Sequence, residues 1–189
     1  MKQTHLPKYI PSLDGLRALS IIAVILFHLH IPNFSLGWVG VNLFFVISGF
    51  LITGILLDTR QNPHYFRNFY GRRTLRIFPI YYLTLFVVIG LQLGSGVLGL
   101  GNLRFSLQES TRAIFYYLTY TQNFYLVSNW FDSPLPQLGH TWTLAIEEQF
   151  YLIWPLVVYM LPIRNLTIVS ILLLVVTPLM RFGFWSITN

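Results

Sequence analysis

The stretch Leu36 to Leu57, LGWVGVNLFFVISGFLITGILL, holds no charged residue in 22 positions. As an α-helix it is about 33 Å long at 1.5 Å per residue, enough to cross the roughly 30 Å hydrocarbon core of a bilayer. The chain around it has the same character. Of 189 residues, 54% are apolar, 17% aromatic and only 10% charged, with a mean hydropathy of +0.61. A soluble domain carries about a quarter charged residues, so this chain cannot cover its own surface with water-compatible groups. It reads as an all-α, polytopic membrane protein.

Working outward, Leu16 to Ile31 is a shorter apolar run interrupted by Arg17, His28 and His30. A third run begins after Arg76 and continues through Leu93, before the glycine-rich stretch Gly94 to Gly101. Thr141 to Ile163 contains the adjacent pair Glu147 and Glu148, and Asn165 to Trp185 carries Arg181 near its far end. Phe105 to Val127 is aromatic but includes Glu109 and Arg112. These runs predict about five transmembrane helices plus one interfacial or re-entrant helix. Residues 1–189 form one unit, with no internal repeat and no linker to a second domain.

Orientation follows from the arginines. Arg60, Arg67, Arg72, Arg73 and Arg76 lie between the second and third spans against Asp58 alone, and Lys2 and Lys8 precede the first span. The positive-inside rule makes both regions cytoplasmic. Ser128 to His140 has no Lys or Arg and is expected outside, while Arg164 follows the Glu-bearing span. Both signs come right only if Phe105 to Val127 does not cross. Ile31-Pro32-Asn33-Phe34 offers no small-residue cleavage site, so the first span is not read as a removable signal peptide. The 12 basic residues sit in short clusters between apolar runs, a pattern that suits topology and anion binding and excludes nucleic acid as a partner. There is no cysteine, hence no disulfide, no thiolate metal site and no acyl-thioester on the protein. No metal site is expected.

Ionised groups inside a span cost roughly 2.5 to 3.5 kcal/mol at the helix centre and need a partner or a wet cavity. Arg17 and His28 are eleven positions apart, within about 20° of three helical turns. Both therefore leave one face, about 16 Å apart along the axis. The bland reading is that Arg17 snorkels and His28 is structural. Arg73 and Arg76 lie one turn apart, with Arg72 on the same side, and such guanidinium forks suit bidentate capture of phosphate oxygens. They equally suit topology determination or anionic lipid head groups. Glu147 and Glu148 begin about two turns inside the outer end of their helix, a depth comparable with that of His28. A carboxylate there would raise the basicity of the imidazole and fix its tautomer. The two glutamates point about 100° apart, and the spacing does not say which one serves. Asn42 could complete the polar pocket. Ser48, beside Gly49, is a further pocket-lining candidate, although small residues there first suggest close helix packing.

Leu13 to Ala18 (LDGLRA) followed by His28, then Val39 to Ile52 (VGVNLFFVISGFLI), Tyr65 to Leu83 (YFRNFYGRRTLRIFPIYYL) and His140 to Pro155 (HTWTLAIEEQFYLIWP) resemble the successive signatures of acyltransferase family 3. These are bacterial membrane O-acyltransferases that decorate extracytoplasmic glycans. The resemblance implies that Arg17 and His28 are essential, and that Arg73 and Arg76 belong to the acyl-CoA donor site. It also implies a bacterial inner-membrane location. Members have about ten membrane helices and roughly twice this length, so the chain is expected to be the N-terminal part of a domain whose C-terminal half it needs. Alone, it is expected to insert into membranes without transferring an acyl group.

The expected chemistry is transfer from acyl-CoA, acetyl-CoA in the simplest case, as co-substrate. The coenzyme docks on Arg73, Arg76 and Arg17, and His28 acts as general base on an acceptor hydroxyl with support from Glu147 or Glu148. Acceptors would be sugars of lipopolysaccharide, peptidoglycan, exopolysaccharide or a glycosylated metabolite. A proton-coupled transporter would use the same residue types but should show an inverted repeat, and none is evident. A catalytically silent membrane fragment would need no aligned Arg and His on one helix face.

Overall fold

The computed structural model describes residues 11–32, 34–97 and 107–188. Lys2, Lys8 and half of the glycine-rich stretch lie outside them, as does the side chain of Arg181. The described residues form helices α1 (Pro11–His28), α2 (Val39–Thr59), α3 (Tyr65–Val97), α4 (Leu107–Leu118), α5 (Gln122–Ser128), α6 (Trp142–Met160) and α7 (Ile163–Thr188). A short 3-10 helix, Pro136–Thr141, leads into α6, and no strand occurs among the described residues. The chain is a multi-pass, helical membrane protein. Helices α1, α2, α3 and α7 are long and apolar enough to cross a bilayer. Helix α6 has 19 residues, but Glu147, Glu148 and Gln149 in its first two turns keep it outside that set.

Helix α2 is the hub. It packs along α1 on one side and α6 on the other, with lesser contact to α3. The α1–α2 approach is close because two glycines allow it. A Cβ on Gly37 would stand 2.2 Å from the Ala23 carbonyl oxygen, and one on Gly40 would stand 2.5 Å from that of Ser20. The expected close-packing site at Gly49 is different, since a Cβ there meets nothing within 4 Å. Helix α2 is tied to α6 by the Trp154 indole N–H, which donates to Thr53 Oγ1 at 2.8 Å. Buried Ile52, Leu56, Tyr65, Tyr151, Val158 and Leu166 form the core beside it.

Helix α3 starts twelve residues before the apolar run that announced it, because its polar first half has partners. The Tyr65 hydroxyl donates to the Pro155 carbonyl (3.0 Å) and that of Tyr70 to the Leu152 carbonyl (2.8 Å), both on α6. The Arg60 guanidinium, just after α2, caps the Tyr159 carbonyl in the last turn of α6 at 2.7 Å. These three rungs run α3 antiparallel to α6 from the arginine end.

Helices α4 and α5 have 12 and 7 residues, about 18 and 10 Å, and neither can span the hydrocarbon core. They form a re-entrant pair. Gln92, near the far end of α3, hydrogen-bonds the Pro134 carbonyl, whereas Tyr81 and Tyr82 donate to the Tyr117 (2.7 Å) and Leu118 (3.0 Å) carbonyls at the end of α4. Eleven residues of α3 separate these levels, so the hairpin tip sits about 16 Å deeper than its mouth. The helix end at the tip is fully served, as low-dielectric surroundings demand. Gln149 donates to the Tyr120 carbonyl (2.9 Å), and Thr119 Oγ1 to that of Phe115 (2.9 Å).

Helices α1, α4 and α5 end alike, in a Schellman arrangement. The amide N–H groups of Ile31, Thr121 and Phe131 reach back to the carbonyls of Leu26 (3.2 Å), Tyr116 (2.9 Å) and Leu126 (2.7 Å). The left-handed residue in each is not glycine but His30 (φ 53°), Tyr120 (54°) and Trp130 (52°). His30 therefore lies beyond the end of α1.

Candidate functional site

Two cavities lie along α2, one near its start and one at its end. The first, about 210 Å³, lies between α1, α2 and α6, and is walled by Ser20, Ile21, Val24 and Ile25 of α1 and by Gly40, Val41, Phe44 and Phe45 of α2. Thr143, Leu144 and Glu147 close it from α6. The second, about 240 Å³, lies where the end of α2 meets the start of α3, and Asn62, Asn68, Arg72, Arg73 and Arg76 line it.

Arg73 joins the two. Its guanidinium stacks on the Tyr151 ring at 4.3 Å and lies 5.7 Å from that of Phe69, which holds it flat against α6. From there its field reaches Glu147, together with those of Arg17 and Arg76. Arg17 lies over Phe44 at 5.1 Å and has Asp14 at 3.9 Å, yet its Nε is buried without a hydrogen-bond partner. Glu147 Oε1 is likewise buried and unpartnered. Arg17 Nε and one oxygen of Glu147, whose carboxyl also has the Tyr151 hydroxyl as a hydrogen-bond partner, thus lie near the inner end of an apolar cleft without partners of their own. Leaving such atoms unmatched costs about 1–3 kcal/mol each, a cost that a bound ligand with both acceptors and donors would remove.

His28 continues the cleft wall. It is one helical turn beyond Val24 and Ile25, so Arg17, Ile21, Val24, Ile25 and His28 form one stripe, as the eleven-residue spacing predicts. The imidazole is exposed, and its Nδ1 lies 2.8 Å from the Val24 carbonyl. A carbonyl can only accept, so Nδ1 carries the proton and Nε2 is left as the basic nitrogen.

The glutamates are placed differently from the sequence-based expectation. Glu147 lies within the fields of Arg17, Arg73 and Arg76 rather than beside His28. Ser20 and Val24 of α1 oppose Gly40 in the first turn of α2, so His28 stands further out than the start of α2, while Glu147 lies five residues, about 1.4 turns, into α6. His28 therefore bonds its own helix and neither glutamate. Glu148 faces away from the cleft, toward Tyr82 and Tyr120, and its Oε1 is also buried without a partner. Asn42 is exposed, and Ser48 is buried with an unpartnered Oγ, and neither lines the cleft. Gly40 and Phe44 take that place, and the Gly37–Gly40 spacing was the signal that could have found them. Among the described residues no group of three or more His, Cys, Asp or Glu side chains could hold a metal ion.

Comparison with known proteins finds relatives of the chain. The chain is 41% identical over 174 residues to "Peptidoglycan O-acetyltransferase OatA" of Listeria monocytogenes, covering 87% of this chain and 27% of that protein. It is 39% identical over 164 residues to "Putative peptidoglycan O-acetyltransferase YrhL" of Bacillus subtilis, covering 82% and 24%. It is 35% identical over 164 residues to "O-acetyltransferase OatA" of Staphylococcus aureus, covering 84% and 26%. The chain thus spans about a quarter of the length of these relatives. No solved structure matches it. The family model described as "Acyltransferase domain" matches residues 10–189, and the chain belongs to acyltransferase family 3.

Proposed function

We propose that this chain is the donor-binding and base-bearing part of a bacterial inner-membrane O-acyltransferase. It moves an acetyl or other acyl group from cytoplasmic acyl-CoA to a hydroxyl of an extracytoplasmic glycan, with peptidoglycan favoured by the names of its relatives. The observation that carries this reading is the order of the groups: Arg72, Arg73 and Arg76 line one cavity, the fields of Arg73, Arg17 and Arg76 reach Glu147 in the wall of the apolar cleft, and His28 stands on α1 one turn beyond that cleft. The arginine end is cytoplasmic and the N-terminus lies with it.

The coenzyme phosphates bind in the arginine-lined cavity, where forked guanidinium donors fit phosphate oxygens. The pantetheine arm passes Arg17 and Glu147, which offer it the unmatched donor and acceptor, and the thioester enters the apolar cleft. His28 Nε2 removes the proton from the acceptor hydroxyl as its oxygen attacks the thioester carbonyl. The carbon–sulfur bond then breaks, and the coenzyme thiolate leaves and takes the proton from the imidazolium. The Val24 carbonyl keeps the imidazole in the tautomer this step needs. Absence of cysteine favours this direct transfer over an acyl-enzyme. The exposed imidazole and the much greater length of the relatives support a need for the C-terminal half of the domain to complete the walls.

The test is binding of a coenzyme A analogue to membranes carrying Arg73→Gln with Arg76→Gln, beside transfer of label from radioactive acetyl-CoA to extracted glycan. Each charge-assisted phosphate bond is worth about 1.5–3 kcal/mol, so the double variant should bind at least tenfold more weakly. Lysine should restore only part of the loss. Unchanged binding would reduce these arginines to topology determinants.

A further inference from the structure

We propose that the tip of the α4–α5 hairpin, Thr119 to Gln122, floors a polar recess entered from the side opposite the arginines, and that this recess receives an uncharged, hydroxyl-bearing ligand. Under the function proposed above, on which this part of the inference rests, that ligand is the acceptor glycan. The first observation is depth. The tip lies about 16 Å below the level of Gln92, and there the chain leaves helical geometry at Tyr120, φ 54°. Irregular backbone at membrane depth is tolerated where it is buried in protein or lines a water-filled cavity. Tyr120 and Gln122 are buried, but Thr119 is exposed and Thr121 half-buried, with their hydroxyls 2.7 Å apart.

The second observation is a set of unmatched polar atoms at the same place. The Tyr120 hydroxyl, Gln122 Oε1 and Glu148 Oε1 are all buried without a hydrogen-bond partner, and Gln122 is fully buried. The Tyr120 ring is fixed between Tyr81 (4.3 Å) and Phe78 (5.2 Å), so the hydroxyl cannot swing out to find one. The amide nitrogen of Gln122 is already committed to the Thr141 carbonyl at 3.0 Å, which leaves its oxygen to accept. Two acceptors and one hydroxyl match a ligand that both donates and accepts hydrogen bonds. From Ala113 to Ile163 there is no Lys or Arg, and the cation whose field reaches this place, Arg73, acts on the carboxyl of Glu148, so a sugar hydroxyl fits better here than a phosphate.

The absence of cysteine makes the test direct. Single variants Thr119→Cys, Phe124→Cys, Trp130→Cys and Leu83→Cys are each treated in sealed, oriented vesicles with a membrane-impermeant maleimide. Trp130 is 92% exposed and serves as the open-loop reference, and Leu83, 66% exposed near the level of the tip, as the lipid-facing one. We expect Thr119→Cys to react from the side opposite the arginines within about tenfold of Trp130→Cys, and Leu83→Cys to remain unlabelled. Phe124→Cys gives the same readout should the tip variant fail to insert. A tip cysteine as inert as Leu83→Cys, or one labelled only from the arginine side, overturns the recess. For the ligand, Tyr120→Phe should cut acetylation of endogenous glycan at least tenfold, while coenzyme A analogue binding and thermal stability hold or improve. Unchanged acetylation overturns the ligand assignment. With the complete protein in the membrane, labelling of Thr119→Cys at the tip beside a cysteine-free parent that acetylates nothing overturns the proposed function and leaves the recess standing.

Discussion

Gly40→Ala isolates how the cleft is built. A Cβ at this position would stand 2.5 Å from the Ser20 carbonyl oxygen and 3.1 Å from Val24 Cγ2, against 3.4 Å for the start of ordinary contact. The nearer atom belongs to helical backbone and cannot rotate away, so α1 must retreat by about 0.9 Å. Overpacking of this kind costs about 1–3 kcal/mol. The larger consequence is catalytic, because Ser20, Val24 and Gly40 are cleft walls and His28 rides on α1. A misplacement of about 1 Å in a reacting group can cost about 10²-fold in rate. Gly49→Ala is the matched control on the same helix, since its Cβ meets nothing within 4 Å and it gains helix propensity of up to about 1 kcal/mol. The assay is acetyl transfer together with thermal unfolding in detergent, with both variants placed in the complete protein. Gly40→Ala should lose about 10²-fold in transfer and unfold earlier, and Gly49→Ala should match or exceed the wild type. Equal behaviour of the two variants would refute the idea that Gly40 sets the distance between α1 and α2.

Three further outcomes are expected. His28→Ala should lower transfer by about 10²–10⁴ while leaving coenzyme A analogue binding intact, as read by single-turnover kinetics and equilibrium binding. His30→Gly should raise thermal stability, by about 1 kcal/mol, because glycine enters the left-handed conformation at His30 without the side-chain clash. A drop in unfolding temperature would contradict the Schellman assignment. Trp154→Phe should lower stability by about 0.6–1.7 kcal/mol, the range for an interhelical hydrogen bond in a membrane, through loss of the contact to Thr53.

Legibility in the sequence tracked how local each determinant is. The charge-free run from Leu36 announced α2 because composition alone decides membrane insertion. The Arg17–His28 stripe was legible because a single helix carries both residues. The start of α3 was not, since Tyr65 and Tyr70 earn their helical place through bonds to α6, eighty or more residues away. The ends of α1, α4 and α5 were hidden for another reason. Glycine marks such ends in a sequence, and here histidine, tyrosine and tryptophan occupy its position. The level of the glutamates was misjudged because apolar length does not fix how far one helix is shifted along another, and α1 meets the first turn of α2 at Ser20 and Val24, which leaves His28 beyond it.

Two adjacent glutamates on one helix point about 100° apart and need not duplicate each other. The first turns of α6 divide the membrane interior. Glu147 looks into the cleft shared with α1 and α2, and Glu148 looks toward Tyr82, Tyr120 and the hairpin tip. Below Trp142 the helix keeps the two sides apart. Thr143 and Leu144 already face Ser20 to Ile25 across the cleft, and His28 lies a turn further out, beyond the beginning of α6. At that level only the 3-10 segment stands between the cleft and the hairpin. An acceptor resting on the tip could therefore reach Nε2 of His28 over the end of α6 without crossing a helix, while the coenzyme stays on the arginine side. On this geometry Glu147→Gln should weaken donor binding and leave tip labelling unchanged. Glu148→Gln should do the reverse, changing acceptor use with donor binding intact. Identical phenotypes for the two would mean that α6 does not separate the substrates, and the layout of two entrances would have to be abandoned.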